Sequence, residues 1–275
     1  MDWSKVKNIL IIVFIGLNVF LFSFVINIGE GKDVSESNLK DAEIALNKNG
    51  VELECKIPSY ADQAEKAVKA EYSIDQSKVF NVLMDSNAKV DGNIEYNKEY
   101  KYDEKIIVFI DKNQFKYTNS KPDDDNINIT SVSQADKYIN PILKKMDLSL
   151  SGFKLDRSLV NEDGSITLIY VESYNKNISI FDSRILVNIN SDGIKEIQCT
   201  LNKIEAKGEP TQTISAYQVL LRNFNVSGTV IKDIKFGYKA ESSVQNANIY
   251  LPVWRIRLGD GSEHFFDAFT GDKIK

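Results

Sequence analysis

The 275-residue sequence contains few of the side chains from which catalytic and metal centres are built. It has one histidine, His264, and two cysteines, Cys55 and Cys199. Because zinc sites need several such ligands at defined spacings, these three distant residues do not predict one. The motifs GxxxxGK[ST], GxGxxG and GxSxG are also missing. We therefore expect a non-enzyme with no catalytic residues, no cofactor and no metal.

The acidic run DDDN at positions 123–126 does not fit a calcium loop. An EF-hand loop that begins at Asp124 requires glycine where Ile129 stands and glutamate where Ala135 stands. The run is typical of a solvated loop, so we do not predict a metal there.

An excess of positive charge is missing as well. Asp2, Lys5 and Lys7 give the first 29 residues a net charge of +1, so the total of −5 leaves −6 on the remainder. An acidic region repels a phosphate backbone, which argues against a nucleic-acid partner.

Only residues 8–28 form an apolar run long enough to cross a lipid bilayer. As a helix this run would be about 31 Å long, close to the thickness of the hydrocarbon core. It is longer than the apolar region of a cleaved signal peptide, so we expect it to be retained as a transmembrane helix. Lys5 and Lys7 precede it, which predicts a cytoplasmic tail at 1–7 and an extracytoplasmic C-terminal region. The expected location is the cell membrane, with a single pass.

The extracytoplasmic region is predicted to have an α+β fold of antiparallel sheets with packed helices. The 43% hydrophobic content is far from a disordered composition. Hydrophobic periodicity predicts a first module and linker at 29–125 and a second region at 126–275. In the second region one helix followed by about four strands occurs twice, which indicates tandem units at 126–207 and 208–275.

Three segments carry detailed expectations. VELECKIP, residues 51–58, alternates as a half-buried strand, whereas residues 59–73 (SYADQAEKAVKAEYS) are expected to form loop and short helices. In PVWRIRL, residues 252–258, Trp254 alternates with Arg255, so the pattern predicts a strand with its apolar face on the core and its charged face away from it.

The two cysteines lie in register with apolar neighbours. This position favours two small buried side chains, although an extracellular location also permits a disulfide. The sequence leaves the choice between free thiols and a Cys55–Cys199 bridge open.

Two stretches of the chain resemble a known family. The opening MDWSKVKNILIIVFIGLNVFLF and the ending PVWRIRLGDGSEHFFDAFTGDKI are similar to those of the YycI (WalI) family of Gram-positive bacteria. The resemblance implies a membrane-anchored protein that works with a similar anchored partner, YycH. It also implies regulation of the sensor histidine kinase YycG (WalK), which controls cell-wall metabolism, with contact through transmembrane helices.

Two other interpretations remain open. The ending DAFTGDKI is also similar to PepSY-type modules, which implies an extracytoplasmic inhibitor or ligand-binding module tethered to the membrane. An anchored cell-wall enzyme is the third interpretation.

The span itself offers candidate partner-binding residues. On a helical wheel Gly16, Ser23 and Asn27 lie within about 40° of one another, and Asn18 projects from nearly the opposite side. Small and hydrogen-bonding residues let helices approach closely in lipid. These four residues therefore predict two faces that contact two partner helices.

Overall fold

The computed structural model describes residues 14, 17–18, 35–59, 63–84, 93–123, 129–148, 150–175, 178–241 and 248–274. From residue 35 onward the described α-helices are α1 (Glu36–Lys48), α2 (Gln76–Leu83), α3 (Val132–Lys145) and α4 (Ala216–Asn223), with a 3₁₀ turn at Leu150–Gly152. The strands are β1 (Glu52–Leu53), β2 (Gln63–Ala70), β3 (Glu99–Tyr102), β4 (Lys105–Asp111), β5 (Gln114–Asn119), β6 (Phe153–Val160), β7 (Ile166–Tyr174), β8 (Ile178–Asn190), β9 (Gly193–Thr200), β10 (Lys203–Gln212), β11 (Val230–Ala240), β12 (Ile249–Leu258), β13 (Glu263–Asp267) and β14 (Lys273–Ile274).

The predicted α+β class is confirmed for the described residues, which are mostly sheet. Most strand pairs are antiparallel, but β11 pairs in parallel with both β1 and β8, so the sheet is mixed. No helix among the described residues is long and apolar enough to cross a membrane. Apart from Phe14, Leu17 and Asn18, the predicted span at 8–28 lies outside the described residues.

Polar side chains fix the starts of three helices. Asp75 accepts a hydrogen bond from the backbone of Lys78 at 3.0 Å before α2, and Ser131 caps α3 in the same way. A reciprocal capping box joins Ser215 and Gln218 before α4. Each cap satisfies backbone donors that a helix leaves unpaired at its first turn.

The described residues divide into two compact units. Unit 1 comprises those within 1–64, 210–234 and 254–274, and unit 2 comprises those within 65–209 and 235–253. The predicted modules at 29–125 and 126–275, and the tandem units, stay predictions.

Unit 2 contains two apolar clusters. In the larger one α2 and α3 pack on the sheet strands β4, β5, β7, β8 and β9, through fully buried side chains such as Ile139 and Leu168. The smaller cluster consists of Ala67, Ile180, Ile204, Tyr238 and Tyr250. Tyr174 meets Tyr238 edge to face at 5.7 Å between ring centroids, which is a favourable arrangement for aromatic pairs.

Strand β8 changes neighbours between these clusters. Ile180 pairs with Tyr238 of β11, whereas Arg184 pairs with Thr200 of β9. The residues between them, Phe181–Ser183, have no register partner on β7. There Val171 pairs with Arg184, and the next residue, Glu172, pairs with Ile180. We call Phe181–Ser183 the β8 junction.

The β8 junction is held by buried polar groups. The carboxylate of Glu172, which is 4% exposed, accepts a 2.5 Å hydrogen bond from the Ser183 hydroxyl and pairs with the Lys203 ammonium. Ser183 in turn accepts from the backbone of Asn202 at 2.9 Å. Asp182 accepts from the backbone of Ala240 at 2.7 Å, which ties β11 to the junction.

The expectation of loop and short helices at residues 59–73 was wrong for Gln63–Ala70, which forms β2. Its Ala, Lys and Glu content favours a helix locally. The antiparallel pairing of Ala67 with Tyr250 overrides that preference, because the small side chain fits the smaller cluster. The predicted strand at 51–58 is confirmed only for Glu52–Leu53.

Strand β6 lies at a sheet edge, since β7 is its only partner among the described strands. Leu155, Leu159 and Val160 are exposed on it. A register shift at Asp156 turns that carboxylate inward, where the Lys235 ammonium lies 2.7 Å away.

Unit 1 contains α1, α4, the short pair β1–β11 and the closing strands β13 and β14. Trp254 lies in its core, as predicted, with no exposed surface. Its indole N–H donates to the carbonyl of Ile214 at 2.8 Å, so the polar atom is satisfied as well.

We predict that Trp254→Ala lowers the free energy of unfolding by about 3 to 5 kcal/mol, because it leaves a large cavity in unit 1. Chemical denaturation of the chain measures the change. Val226→Ala is the control, since Val226 is exposed in the same unit and its truncation should change stability by less than about 0.5 kcal/mol. A tolerated Trp254→Ala would contradict the core assignment.

Candidate functional site

Of the predicted partner-binding residues in the span, the structure describes one. Asn18 is helical and exposed, and its amide donates to the carbonyl of Phe14 at 2.8 Å. The other three, Gly16, Ser23 and Asn27, lie outside the described residues. The predicted grouping of these residues into two faces therefore stays a prediction.

The two cysteines are free thiols with little nucleophilic character. Cys199 is buried, and Cys55 is half-buried. Burial, with the Asp233 carboxylate nearby, raises the pKa of the Cys55 thiol to about 11. Burial and the Glu172 carboxylate raise the pKa of Cys199 as well. Since the thiolate is the reactive form, neither residue is an activated nucleophile at neutral pH.

His264 and the acidic run form no metal centre in the described chain. His264 lies beside the ring of Phe224, and burial together with the Lys273 ammonium lowers its pKa, which favours the neutral imidazole. No group of three or more His, Cys, Asp and Glu side chains in the described ranges is placed to hold a metal. Of the DDDN run, only Asp123 is described.

The charged face of PVWRIRL is not solvated as the alternation predicted. Arg255 is 2% exposed and pairs with Asp233 at 2.8 Å and with Glu263 at 3.4 Å. Arg257 lies 3.8 Å from the same Asp233 carboxylate. A buried guanidinium needs such partners, since an unpaired buried charge costs several kcal/mol. The strand is therefore buried on both faces in unit 1.

The closing DAFTGD segment, residues 267–272, is a packed turn. The Asp267 carboxylate accepts from the backbone of Phe269 at 2.7 Å and of Thr270 at 3.1 Å. Arg222 of α4 donates to the Thr270 carbonyl at 2.7 Å. Gly271 has φ +78°, and a Cβ there would lie 2.6 Å from Ile214. The segment that carries part of the family resemblance thus has a structural role in docking the C-terminal turn on α4.

Unit 2 contains an open cleft of about 520 Å³ between α2, α3 and one end of the sheet. We call it the α2–α3 cleft. Its lining comes from five separate stretches of the chain: Asn81, Val82 and Leu83; Lys105; Tyr117, Asn119, Pro122 and Asp123; Tyr138, Ile142 and Lys145; Asp192, Gly193 and Ile194. Its volume is within the 300 to 1,000 Å³ that is typical of small-ligand pockets.

The lining of the α2–α3 cleft combines both charge signs with apolar surface. Lys105 and Lys145 have no ion-pair partner among the residues that the structure describes. The Tyr117 hydroxyl interacts with the side-chain amide of Asn119, and burial raises its pKa to about 12, so it stays protonated. Sequence reasoning missed this cleft, because no local pattern marks residues that only the tertiary fold brings together.

Comparison with protein families gives a match over most of the chain. A family model described as "YycI protein" matches residues 29–269, which is most of the chain. None of the curated proteins is significantly similar in sequence.

Several solved structures are similar to the chain at low sequence identity. A protein of Eubacterium rectale ATCC 33656 has a TM-score of 0.51 at 10% identity, over 89% of this chain and 99% of that one, which shows a shared fold. The C-terminal domain of Bacillus megaterium YpeB has a TM-score of 0.40 at 13% identity, over 89% and 97%. YycH from Bacillus subtilis has a TM-score of 0.47 at 13% identity, over 76% of this chain and 52% of that one.

We predict that alkylation of Cys55 by iodoacetamide keeps accelerating, about tenfold per pH unit, from about pH 8 to about pH 10. The reason is that the pKa of its thiol, about 11, lies above this range. Mass spectrometry of the Cys55 peptide measures the rate. The denatured chain is the control and should level off near pH 9, as thiols with an ordinary pKa of about 8.5 do. A plateau below pH 9 in the folded chain would reveal an activated thiol.

Proposed function

Because the chain belongs to the YycI family, we propose that it regulates a YycG/WalK-type sensor histidine kinase and thereby cell-wall metabolism. The observation that carries this proposal is the family match over residues 29–269. The family is a regulatory one and not an enzyme family. The proposed action is therefore binding to other proteins.

The properties of the described side chains support a role without catalysis. Both thiols have raised pKa values, and the pKa of His264 is lowered by burial. The ion pairs around Arg255 and Glu172 stabilise strands in the interior. A protein whose described residues include no activated nucleophile and no assembled metal site can still act through its surface and its anchor.

We place the main contact in the transmembrane helix and a second contact in the extracytoplasmic region, with a YycH-like anchored protein and the kinase as partners. The side chain of Asn18 supports the proposed contact through the transmembrane helix. An asparagine side chain has two donors and one acceptor oxygen, and its hydrogen bond to Phe14 uses one donor within its own helix. The remaining groups favour a polar partner on a neighbouring helix, because lipid offers none.

Gly16, Ser23 and Asn27 complete the proposal as the second helical face. Small side chains allow close backbone approach, and hydroxyl or amide groups form hydrogen bonds across the interface. Two faces suit a helix that lies between the kinase helix and the helix of a YycH-like protein.

We predict that Asn18→Leu weakens recovery of the kinase or of the YycH-like protein with the tagged chain from solubilised membranes. Loss of one interhelical hydrogen bond should cost about 0.6 to 2 kcal/mol, which is about 3- to 30-fold in affinity. Leu17→Val on the neighbouring position is the control and should leave recovery unchanged. The unchanged chain, Asn18→Leu and Leu17→Val should be present in equal amounts in the membrane fraction.

Exchange of the whole span tests the same proposal more broadly. Residues 8–28 are replaced by an unrelated apolar helix of equal length, and kinase output is measured with a reporter of its response regulator. We expect kinase output to shift towards the level of a strain that lacks the protein, and partner recovery to fall. If both survive the exchange, the span is only an anchor and the contact lies outside the membrane.

A further inference from the structure

We infer that the α2–α3 cleft is a binding site for a short free peptide, whose terminal carboxylate is held by Lys105 and Lys145. The inference rests on the geometry of the cleft and is independent of the regulatory role.

The two lysines are the groups that select an anion. Lys105 lies on β4 and Lys145 in the last turn of α3, and no described carboxylate pairs with either. Other lysines of unit 2 are paired; Lys203, for example, pairs with Glu172, and Lys235 with Asp156. Two unpaired ammonium groups on one cleft can form charge-assisted hydrogen bonds to a ligand carboxylate.

Tyr117 adds a neutral donor inside the cleft. It is 4% exposed, and its hydroxyl stays protonated throughout the physiological pH range because its pKa is about 12. Because the Tyr117 hydroxyl lines the cleft and keeps its proton, it can donate a hydrogen bond to a ligand oxygen.

The acidic lining residues restrict the class of anion. Asp123 and Asp192 lie on the same cleft as the two lysines, so the lining has no net positive charge. A ligand with several negative charges, such as a polyphosphate, would be repelled by these carboxylates. A peptide with free termini carries one carboxylate for the lysines and one ammonium for the aspartates, and it matches both signs.

Apolar surface completes the match to a peptide. Leu83 is buried at the cleft, and Val82, Ile142 and Ile194 line it with partly buried side chains. These groups can pack against peptide side chains, while the polar groups fix the orientation of the termini, as in most small-ligand sites.

The test measures retention of peptides by the full chain in detergent micelles. A pool of tetrapeptides with free termini is incubated with the chain, the retained peptides are identified by mass spectrometry, and their affinities are measured by calorimetry. Two matched pools, one with C-terminal amides and one with N-terminal acetyl groups, show which terminus is recognised. We expect retention from the free pool and at least tenfold weaker binding of the amidated peptides.

The variants Lys105→Gln, Lys145→Gln and Asp123→Asn assign the binding to the cleft. Each lysine variant should weaken the best peptide at least tenfold, and Asp123→Asn should weaken it several-fold. Lys144→Gln is the matched control, because Lys144 is exposed on the same helix next to Lys145 but does not line the cleft. Far-UV circular dichroism verifies that all variants are folded.

Three results would overturn the inference: no retained peptide, equal binding of amidated and free peptides, or unchanged affinity in both lysine variants. Failure of the proposed kinase regulation would be seen separately, in the reporter assay, because peptide retention is measured on the purified chain alone.

Discussion

The β8 junction is the constraint on which unit 2 depends. A single strand contributes Ile180 to the smaller apolar cluster and Ile185 to the larger one, and it exchanges β11 for β9 as its neighbour in between. Such an exchange interrupts the ladder, and backbone and side-chain polar groups in the interruption need partners. Glu172, Ser183 and Asn202 supply them in one connected network. Because the carboxylate is buried, removal of a single member leaves a charge or a donor without compensation.

Both units therefore bury charge inside the sheet, each in its own network. In unit 1 the Arg255 guanidinium lies between Asp233 and Glu263. In unit 2 the nitrogen of the Lys203 ammonium lies 5.5 Å from the centroid of the Tyr72 ring. Such networks are sensitive to geometry, since imperfect partners do not offset the cost of desolvation. The paired charges of Arg255 and Glu172 are therefore part of the framework of their units.

Much of the fold follows from hydrophobic periodicity, and the exceptions have physical reasons. From residue 126 onward α3 is followed by β6 to β10 and α4 by β11 to β14, which agrees with the predicted order of one helix and about four strands. The segment Gln63–Ala70 does not follow its local sequence signal, because pairing with β12 makes it a strand. The sequence pattern predicted a solvated Arg255. Alternation shows only which residues are polar, and it does not show that the Asp233 carboxylate lies next to the guanidinium in the fold. The α2–α3 cleft had no sequence signal at all, and the predicted helix faces of the span lie mostly outside the described residues.

The inward turn of Asp156 on strand β6 has a consequence for the behaviour of this protein in a crowded environment. An eight-residue edge with exposed leucine and valine is a template on which a second chain can add a strand. The bulge at Asp156 interrupts the regular spacing of backbone donors and acceptors that an added strand would need. The ion pair with Lys235 holds the carboxylate in that position. The bulge at Asp156 thus makes the β6 edge a poorer template for a second strand.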